Sequence, residues 1–131
     1  MKLEFTVPWD ALCSDNRKFV SGRFVLTKEY RESKEAIALC ALAAAKKARW
    51  KRPQGPLSLV VQVTPPDHRH RDLNFSKNAK DGISQSEAVW WDDSQVWDER
   101  WYWALGLSAS ENARIASNKD RAGALITIEE L

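Results

Sequence analysis

The chain has 131 residues, 44% hydrophobic and 29% charged, a balance typical of one soluble globular domain spanning residues 1–131. Seven Trp residues supply material for a core, so the composition excludes overall disorder. No apolar run approaches the roughly 18 residues that a membrane span needs. The formal net charge of +2 neither demands nor excludes a nucleic-acid partner, so electrostatic arguments depend on where the charges lie.

The cysteines and the N-terminus point to an intracellular protein. Cys13 and Cys40 are not spaced as metal ligands, so we expect no zinc site. Cys40 lies in an apolar segment, where a small buried thiol is the ordinary interpretation. The first residues lack the basic and apolar blocks of a secretory signal, so we expect the reducing cytoplasm.

The first third of the chain predicts two strands joined by a loop. Residues 2–7 alternate apolar and polar side chains, which indicates a half-buried strand, and Pro8 ends it. Residues 9–22 are polar and predict a loop. Residues 23–27 predict a short second strand.

A long helix is predicted over residues 28–49, with Thr27 as its N-cap and an Ala-rich middle that favours close packing. Its basic end has two interpretations. The helix dipole stabilises cations at a C-terminus, so the end can be merely solvated. Alternatively, Lys and Arg beside Trp50 form a phosphate-contacting patch. The candidates are Lys46, Lys47 and Arg49.

The second half predicts further strands and a short helix. Residues 57–64 (LSLVVQVT) are rich in β-branched side chains and indicate the clearest strand. Residues 74–84 predict a helix capped by Asp72 or Asn74, with Gly82 near its end. Residues 94–104 alternate in the manner of a strand.

The remaining segments complete the fold class. Residues 107–122 are polar and predict irregular or partly helical structure, and residues 124–128 predict a final strand. We therefore expect an α+β fold with a mixed sheet of four or five strands and two main helices, the long helix packing on the sheet through its Ala-rich face.

Acidic and basic residues are concentrated between residues 65 and 95. Asp72 follows a basic stretch that includes Arg69 and Arg71, and Asp92 and Asp93 precede the Trp-rich strand. Carboxylates from two elements could meet at one Mg²⁺ ion, which is commonly held by one or two carboxylates and a substrate phosphate. The structural alternative makes Asp72 a helix cap and the Asp pair a turn.

Two other pairs in this region have less specific interpretations. His68 and His70 suggest metal ligands, but the neighbouring arginines favour a surface basic patch. Trp90 and Trp91 are more typical of core or interface anchors than of base-stacking surfaces.

The runs RDLNFSKNAKDGI and WWDDSQV, with the closing GALITIEEL, resemble the RusA-type Holliday junction resolvases. These are small dimeric endonucleases encoded mainly by phages and prophages. In that family an Arg-rich stretch precedes an Asp-hydrophobic-Asp-Asn motif, then a Lys, a helix Asp and an Asp-Asp-x-Gln-Val/Ile. The resemblance covers residues 63–96 well, the last strand moderately, and the N-terminal strand with the loop near Asn16 weakly.

The resemblance implies roles for individual residues. Asp72 matches the first metal-binding Asp of the family, and Asp93 matches its later essential Asp, preceded by Asp92. Arg69 and Arg71 fall in the Arg-rich stretch and are expected to contact DNA.

The match around Asn74 has two versions. With one residue deleted before it, Asn74 matches the motif Asn, Lys77 the catalytic and DNA-contacting Lys, and Asp81 the helix Asp. Without the deletion, Asn74 replaces the second motif Asp and Asn78 replaces the Lys. Both versions lack one carboxylate. Asn74 would then be a poorer third metal ligand, unless Asp67 or Asp92 compensates.

The resemblance implies a homodimeric endonuclease that resolves four-way DNA junctions by paired symmetric nicks. It would depend on Mg²⁺, with Mn²⁺ as a substitute, and act in the cytoplasm of a bacterial host as a phage or prophage product. Asp72, Lys77 and Asp93 would be catalytic, and Asp72, Asn74, Asp92 and Asp93 would hold the metal.

Two alternatives stay open. The missing carboxylate supports a non-catalytic or attenuated protein of the same fold that binds branched DNA. The third hypothesis is a phage structural or interaction protein, in which the Trp residues between Trp90 and Trp103 form a protein interface.

Overall fold

The computed structural model describes residues 1–20, 25–67, 71–104 and 122–131. Four strands form one mixed sheet within these ranges, and two α-helices cover its apolar face. The predicted α+β class, with four strands and two main helices, is confirmed. In chain order the elements are β1 (Lys2–Pro8), α1 (Lys28–Ala48), β2 (Leu57–Thr64), α2 (Ser76–Gln85), β3 (Val96–Trp103) and β4 (Gly123–Glu130).

The sheet has the strand order β1-β4-β2-β3. β4 pairs antiparallel with both β1 and β2, so the last strand of the chain is central, and Ile128 lies opposite Leu3 on one side and Leu59 on the other. β2 and β3 are parallel. A parallel pair needs a crossover connection, and α2 provides it. The turn before β3 therefore lies beside the start of β2.

Helix α1 follows its prediction closely. The Thr27 hydroxyl accepts a 3.2 Å hydrogen bond from the N–H of Tyr30, which is the expected cap. The buried face of α1 contacts β1 and α2 through small residues and Ile37, as the Ala-rich middle indicates. The helix ends where Arg49 adopts a left-handed conformation with φ of 53°.

The predicted cap of α2 was wrong. The N-cap residue is Phe75, which offers no side-chain acceptor. The Asp15 carboxylate, from the loop after β1, accepts 3.1 and 2.8 Å hydrogen bonds from the N–H groups of Lys77 and Asn78. A distant carboxylate satisfies the free donors of the helix, so Asp72 and Asn74 are not needed for this role.

Strand β3 is shorter than residues 94–104, because residues 93–95 form a 3₁₀ turn. A bulge where β3 passes Leu57 and Ser58 leaves Trp97 unpaired and exposed. Beyond the bulge, Glu99 and Trp101 lie opposite the buried side chains of Leu59 and Val61. Trp97 alternates in the sequence with Trp101 and Trp103, but the bulge breaks this alternation in the sheet.

The core lies between the sheet and the helices and contains Trp90, which is 2% exposed. The prediction of a buried thiol at Cys40 was wrong: Cys40 is half-buried at the core edge, and Cys13 is the buried cysteine. Of the predicted second strand, residues 25–27 are described, and Leu26 forms an isolated bridge with Phe19. The predictions for residues 23–24 and 107–121 lie outside the described residues.

Candidate functional site

The ammonium group of Lys77 lies between two carboxylates. Its Nζ is 3.1 Å from Oδ1 of Asp81, one turn further along α2, and 3.5 Å from Oδ2 of Asp93, in the turn before β3. The hydrogen bond to Asp81 raises the pKa of Lys77, although burial works against it. Lys77 therefore stays a half-exposed cation at neutral pH.

Asp81 gathers donors from three parts of the chain. Besides Lys77, the Tyr30 hydroxyl on α1 donates a 2.7 Å hydrogen bond to Oδ2, and Nζ of Lys18 lies 3.5 Å from the same oxygen. Burial acts to raise the pKa of Asp81, but the hydrogen bonds from Tyr30 and Lys77 outweigh it and lower the pKa below its usual range. The carboxylate is thus ionised at neutral pH and fixed in place.

Asp92 and Asp93 occupy a turn that is tied to the rest of the fold. The Asp92 carboxylate accepts a 2.8 Å hydrogen bond from the N–H of Ser94, which lowers the pKa of Asp92. Gln95 completes a capping box with Asp92 and donates to the carbonyls of Pro53 (2.8 Å) and Gly55 (3.0 Å). Asp92 therefore has the structural role in a turn that the sequence analysis gave as the alternative, and the same hydrogen bonds hold it at the site.

These acidic residues border an open cavity of about 670 Å³, called the Asp93 cleft below. Cations and aromatic rings share its walls with the carboxylates. This mixture is suited to a ligand that combines phosphates with flat bases. Its lining residues are Lys18, Phe19, Leu26, Lys34, Asp81, Ser84, Gln85, Trp91, Asp92 and Asp93.

Asp72 and Asn74 line a different and larger cavity of about 950 Å³. Neither Asp92 nor Asp93 borders that cavity. The structure thus brings Asp93 together with Asp92 and Lys77, whereas Asp72 and Asn74 line the other cavity. That Asp72, Asn74 and Asp93 share one metal ion stays a prediction.

The basic residues predicted to bind DNA are distributed over separate surfaces. Arg71 pairs with Asp67 at 2.7 Å and lies 5.1 Å from the ring centroid of Trp9. Lys46 and Lys47 are exposed in the last turn of α1. Arg69, His68 and His70 lie outside the described residues.

The sequence of the chain matches a known protein family. The family model described as Endodeoxyribonuclease RusA matches residues 8–128. The chain belongs to the RusA endodeoxyribonuclease family. A comparison with curated proteins found no match. Membership in the RusA family implies a Holliday junction-resolving endonuclease, and RusA-type nucleases generally depend on divalent metal ions.

The donor atoms of this RusA-family chain show what kind of metal site it offers. In the part of the chain that the structure describes, no group of three or more His, Cys, Asp or Glu side chains converges on one point. The Asp93 cleft does present two adjacent carboxylates, Asp92 and Asp93. This pair fits Mg²⁺, which is commonly bound through one or two carboxylates with substrate phosphate completing the coordination.

The loop that carries Lys18 is fixed to α2 by a buried polar network. Asn78 is fully buried, and its side-chain oxygen accepts a 3.1 Å hydrogen bond from the N–H of Cys13. Its amide nitrogen donates a 2.8 Å hydrogen bond to Ser33 on α1. Together with Asp15 at the start of α2, these contacts hold residues 13–18 beside the RusA-like site.

Sequence reasoning missed Lys18, Tyr30 and Asp15. Residues 15 and 18 fall in a segment whose composition indicates only a loop, and Tyr30 reads as an ordinary helix residue. Glu99 was also missed; it accepts hydrogen bonds from Ser76 and from Trp101 (3.0 Å). No spacing signal could have found these residues, because each has a partner on helix α2, which is distant in sequence.

None of the helices within the described ranges is long and apolar enough to cross a membrane.

Proposed function

We propose that the chain is a metal-dependent endonuclease that resolves four-way DNA junctions by paired symmetric nicks. The observation that carries the proposal is the position of Lys77 between Asp81 and Asp93, two carboxylates that line the Asp93 cleft. The RusA-family match supports the substrate class. Lys18 and Lys34 line the same cleft and attract the phosphate backbone.

Each residue has a distinct role in this proposal. Asp93, with Asp92 beside it, would hold Mg²⁺ at the scissile phosphate. When bound, the ion would polarise the phosphate and activate water for attack. The ammonium group of Lys77 stabilises the negative charge that builds on the phosphate oxygens, because it is already positioned where charge develops. Asp81 positions Lys77 and does not need to contact DNA.

We propose a homodimer, because a four-way junction presents two equivalent strands and a two-fold dimer offers two equivalent sites. Sedimentation at micromolar concentration checks this part of the proposal. A monomer would contradict the dimer without affecting single nicks.

The decisive experiment uses a labelled synthetic four-way junction with linear duplex as a control. We expect symmetric nicks in Mg²⁺ or Mn²⁺, none in EDTA, and none on the duplex. Asp93→Asn should abolish nicking while leaving binding in EDTA intact, and metal-dependent nicking by Asp93→Asn would overturn the site assignment. Asp72→Asn decides whether that residue shares the ion: a matching loss places both carboxylates on one ion in the complex, and intact nicking restricts the ion to the Asp92 and Asp93 side.

A second candidate function is a junction-binding protein with weak or no cleavage. Two observations favour it: the described residues hold no group of three metal ligands, and one carboxylate of the family motif is missing. This alternative predicts a junction-specific, salt-sensitive shift on native gels that persists in EDTA. No strand would be nicked in either metal.

A further inference from the structure

Neighbouring Trp residues differ sharply in exposure. Trp90 is 2% exposed, packs in the core and donates a 2.8 Å hydrogen bond to Ser84, whereas Trp91 is 57% exposed. Trp91 borders the Asp93 cleft and directly precedes Asp92. Trp91 is therefore not part of the core, and its indole is accessible to a ligand in the cleft.

The indole of Trp91 carries a cation on its face. The guanidinium carbon of Arg52 lies 3.6 Å from the ring centroid. This cation–π contact is attractive and holds the two flat groups in one arrangement. The guanidinium covers part of the ring, so the pair offers the remaining exposed surface of the indole together with a phosphate-binding guanidinium.

The segments that carry this pair are joined on both sides of it. Trp50 donates a 2.9 Å hydrogen bond from its indole to the carbonyl of Val89. Gln95 donates to the carbonyls of Pro53 and Gly55. Because these contacts hold residues 50–55 against residues 89–95, the surface exists before a ligand arrives and little conformational entropy is lost on binding.

We propose that Trp91 and Arg52 bind one nucleobase at the branch point of branched DNA, with the base stacked on the indole and a neighbouring phosphate paired with the guanidinium. The inference rests on the proposed function, because the ligand is the DNA whose phosphate enters the Asp93 cleft. Stacking on an aromatic side chain accepts every base. The stacking of a continuous duplex is interrupted where arms meet, so this contact favours a branch point over continuous duplex DNA.

The chemistry around Trp91 favours DNA over a protein partner. Lys18 and Lys34 border the same cleft, and Arg52 lies on the ring itself. Arg is common at protein interfaces but Lys is depleted there, whereas single-stranded nucleic-acid sites combine cations of both kinds with aromatic rings, so the two lysines favour DNA. A second copy of the chain is therefore the less favoured occupant and becomes an outcome of the test.

The test compares Trp91→Ala, Trp91→Phe and a control, Trp97→Ala. Trp97 is 74% exposed on β3 and does not border the cleft. Binding to a four-way junction and to a linear duplex is measured in EDTA by fluorescence anisotropy. Since one base stack corresponds to about a 5- to 150-fold change in affinity, we expect Trp91→Ala to weaken junction binding at least about fivefold. Duplex binding should change less than about twofold.

Two further measurements sharpen the test. Trp91→Phe keeps a ring and should retain most of the junction affinity, which keeps the proposal testable if the Ala variant does not fold. The fluorescent base 2-aminopurine, placed at the branch point, should be quenched on binding by the wild-type protein and by Trp97→Ala, but not by Trp91→Ala.

The outcomes separate this inference from the proposed function. If the wild-type protein neither prefers nor nicks the junction, the proposed function fails and this inference with it. If it prefers the junction and Trp91→Ala behaves as Trp97→Ala does, this inference alone is overturned. If Trp91→Ala converts a dimer into a monomer in sedimentation, the surface is a protein interface and the inference is also overturned.

Discussion

The Tyr30 hydroxyl donates a 2.7 Å hydrogen bond to Asp81, so helix α1 reaches directly into the site on helix α2. Asp81 in turn lies 3.1 Å from the ammonium group of Lys77. The position of Lys77 thus depends on the packing of the two helices. Substitutions far from the cleft should therefore change the chemistry within it.

Tyr30→Phe should destabilise the fold by about 1.5–3 kcal/mol at pH 7, because Asp81 loses a hydrogen bond to a charged group. The pKa of Asp81 is lowered on folding, so its contribution is present above the usual value of 3.8 and is lost as the pH falls through the lower folded value. The difference in unfolding free energy between Tyr30→Phe and the wild type should therefore narrow as the pH falls below 3.8. Urea unfolding at pH 7 and at a series of values below 3.8 measures this difference. Tyr102→Phe, on exposed β3, is the control and should change little.

Lys77→Ala should reduce the rate of junction nicking by roughly 10²- to 10³-fold, the usual effect of removing one preorganised charge-stabilising group. Single-turnover kinetics at saturating protein separate this effect from binding. Lys77→Arg keeps the positive charge and should recover part of the rate. Lys28→Ala is a matched control, because Lys28 is exposed at the start of α1 and pairs only weakly with Glu32. Unchanged nicking in Lys77→Ala would remove this residue from the mechanism.

Asp15→Ala should cost about 0.5–2 kcal/mol of stability, because the first N–H groups of α2 lose their acceptor. The variant should also slow nicking, since the loop that places Lys18 beside Asp81 loses two of the hydrogen bonds that hold it to helix α2. Asp15→Asn keeps one acceptor oxygen and should be intermediate. Asp10→Ala removes an exposed carboxylate of the same segment and serves as the control. Thermal melting and nicking rates are measured together.

Gly82 on α2 packs closely against Ile37 on α1. A Cβ added there would lie 2.6 Å from Cβ of Ile37 and 2.7 Å from its Cγ2. Gly82→Ala should therefore destabilise the fold by about 1–3 kcal/mol through overpacking, although Ala favours helices more than Gly does. Gly55→Ala meets no atom within 4 Å and is the control. A more stable Gly82→Ala variant in urea unfolding would show that the helices can separate without cost.

The elements that sequence reasoning located correctly are those specified by local signals. β2 was predicted at its observed bounds, because alternation and β-branched residues lie within one short run. Thr27 was predicted as a cap because its hydroxyl bonds to an N–H three residues away. Such information is contained in a few neighbouring residues.

The contacts that build the site are not local. Lys18 and Asp81 are 63 residues apart in the chain, and Tyr30 and Asp81 are 51 apart. The family pattern marked Lys77, Asp81 and Asp93, but it contained no information on which residues surround them. Likewise, Trp90 and Trp91 are adjacent residues of the same type, so the sequence does not distinguish them. The direction of each side chain at the core edge decides that Trp90 is buried and Trp91 is exposed.

The basic end of α1 gives the last prediction. Lys46 and Lys47 are exposed in the final turn, where the helix dipole alone can explain them. If they also contact phosphates, each releases counterions on binding, and the slope of log affinity against log salt is about 0.9 per contact. Lys46→Gln with Lys47→Gln should then lower that slope by about 2. The control, Lys2→Gln with Lys28→Gln, removes the same charge elsewhere and should leave the slope unchanged. Equal slopes for both double variants would assign Lys46 and Lys47 to helix termination alone.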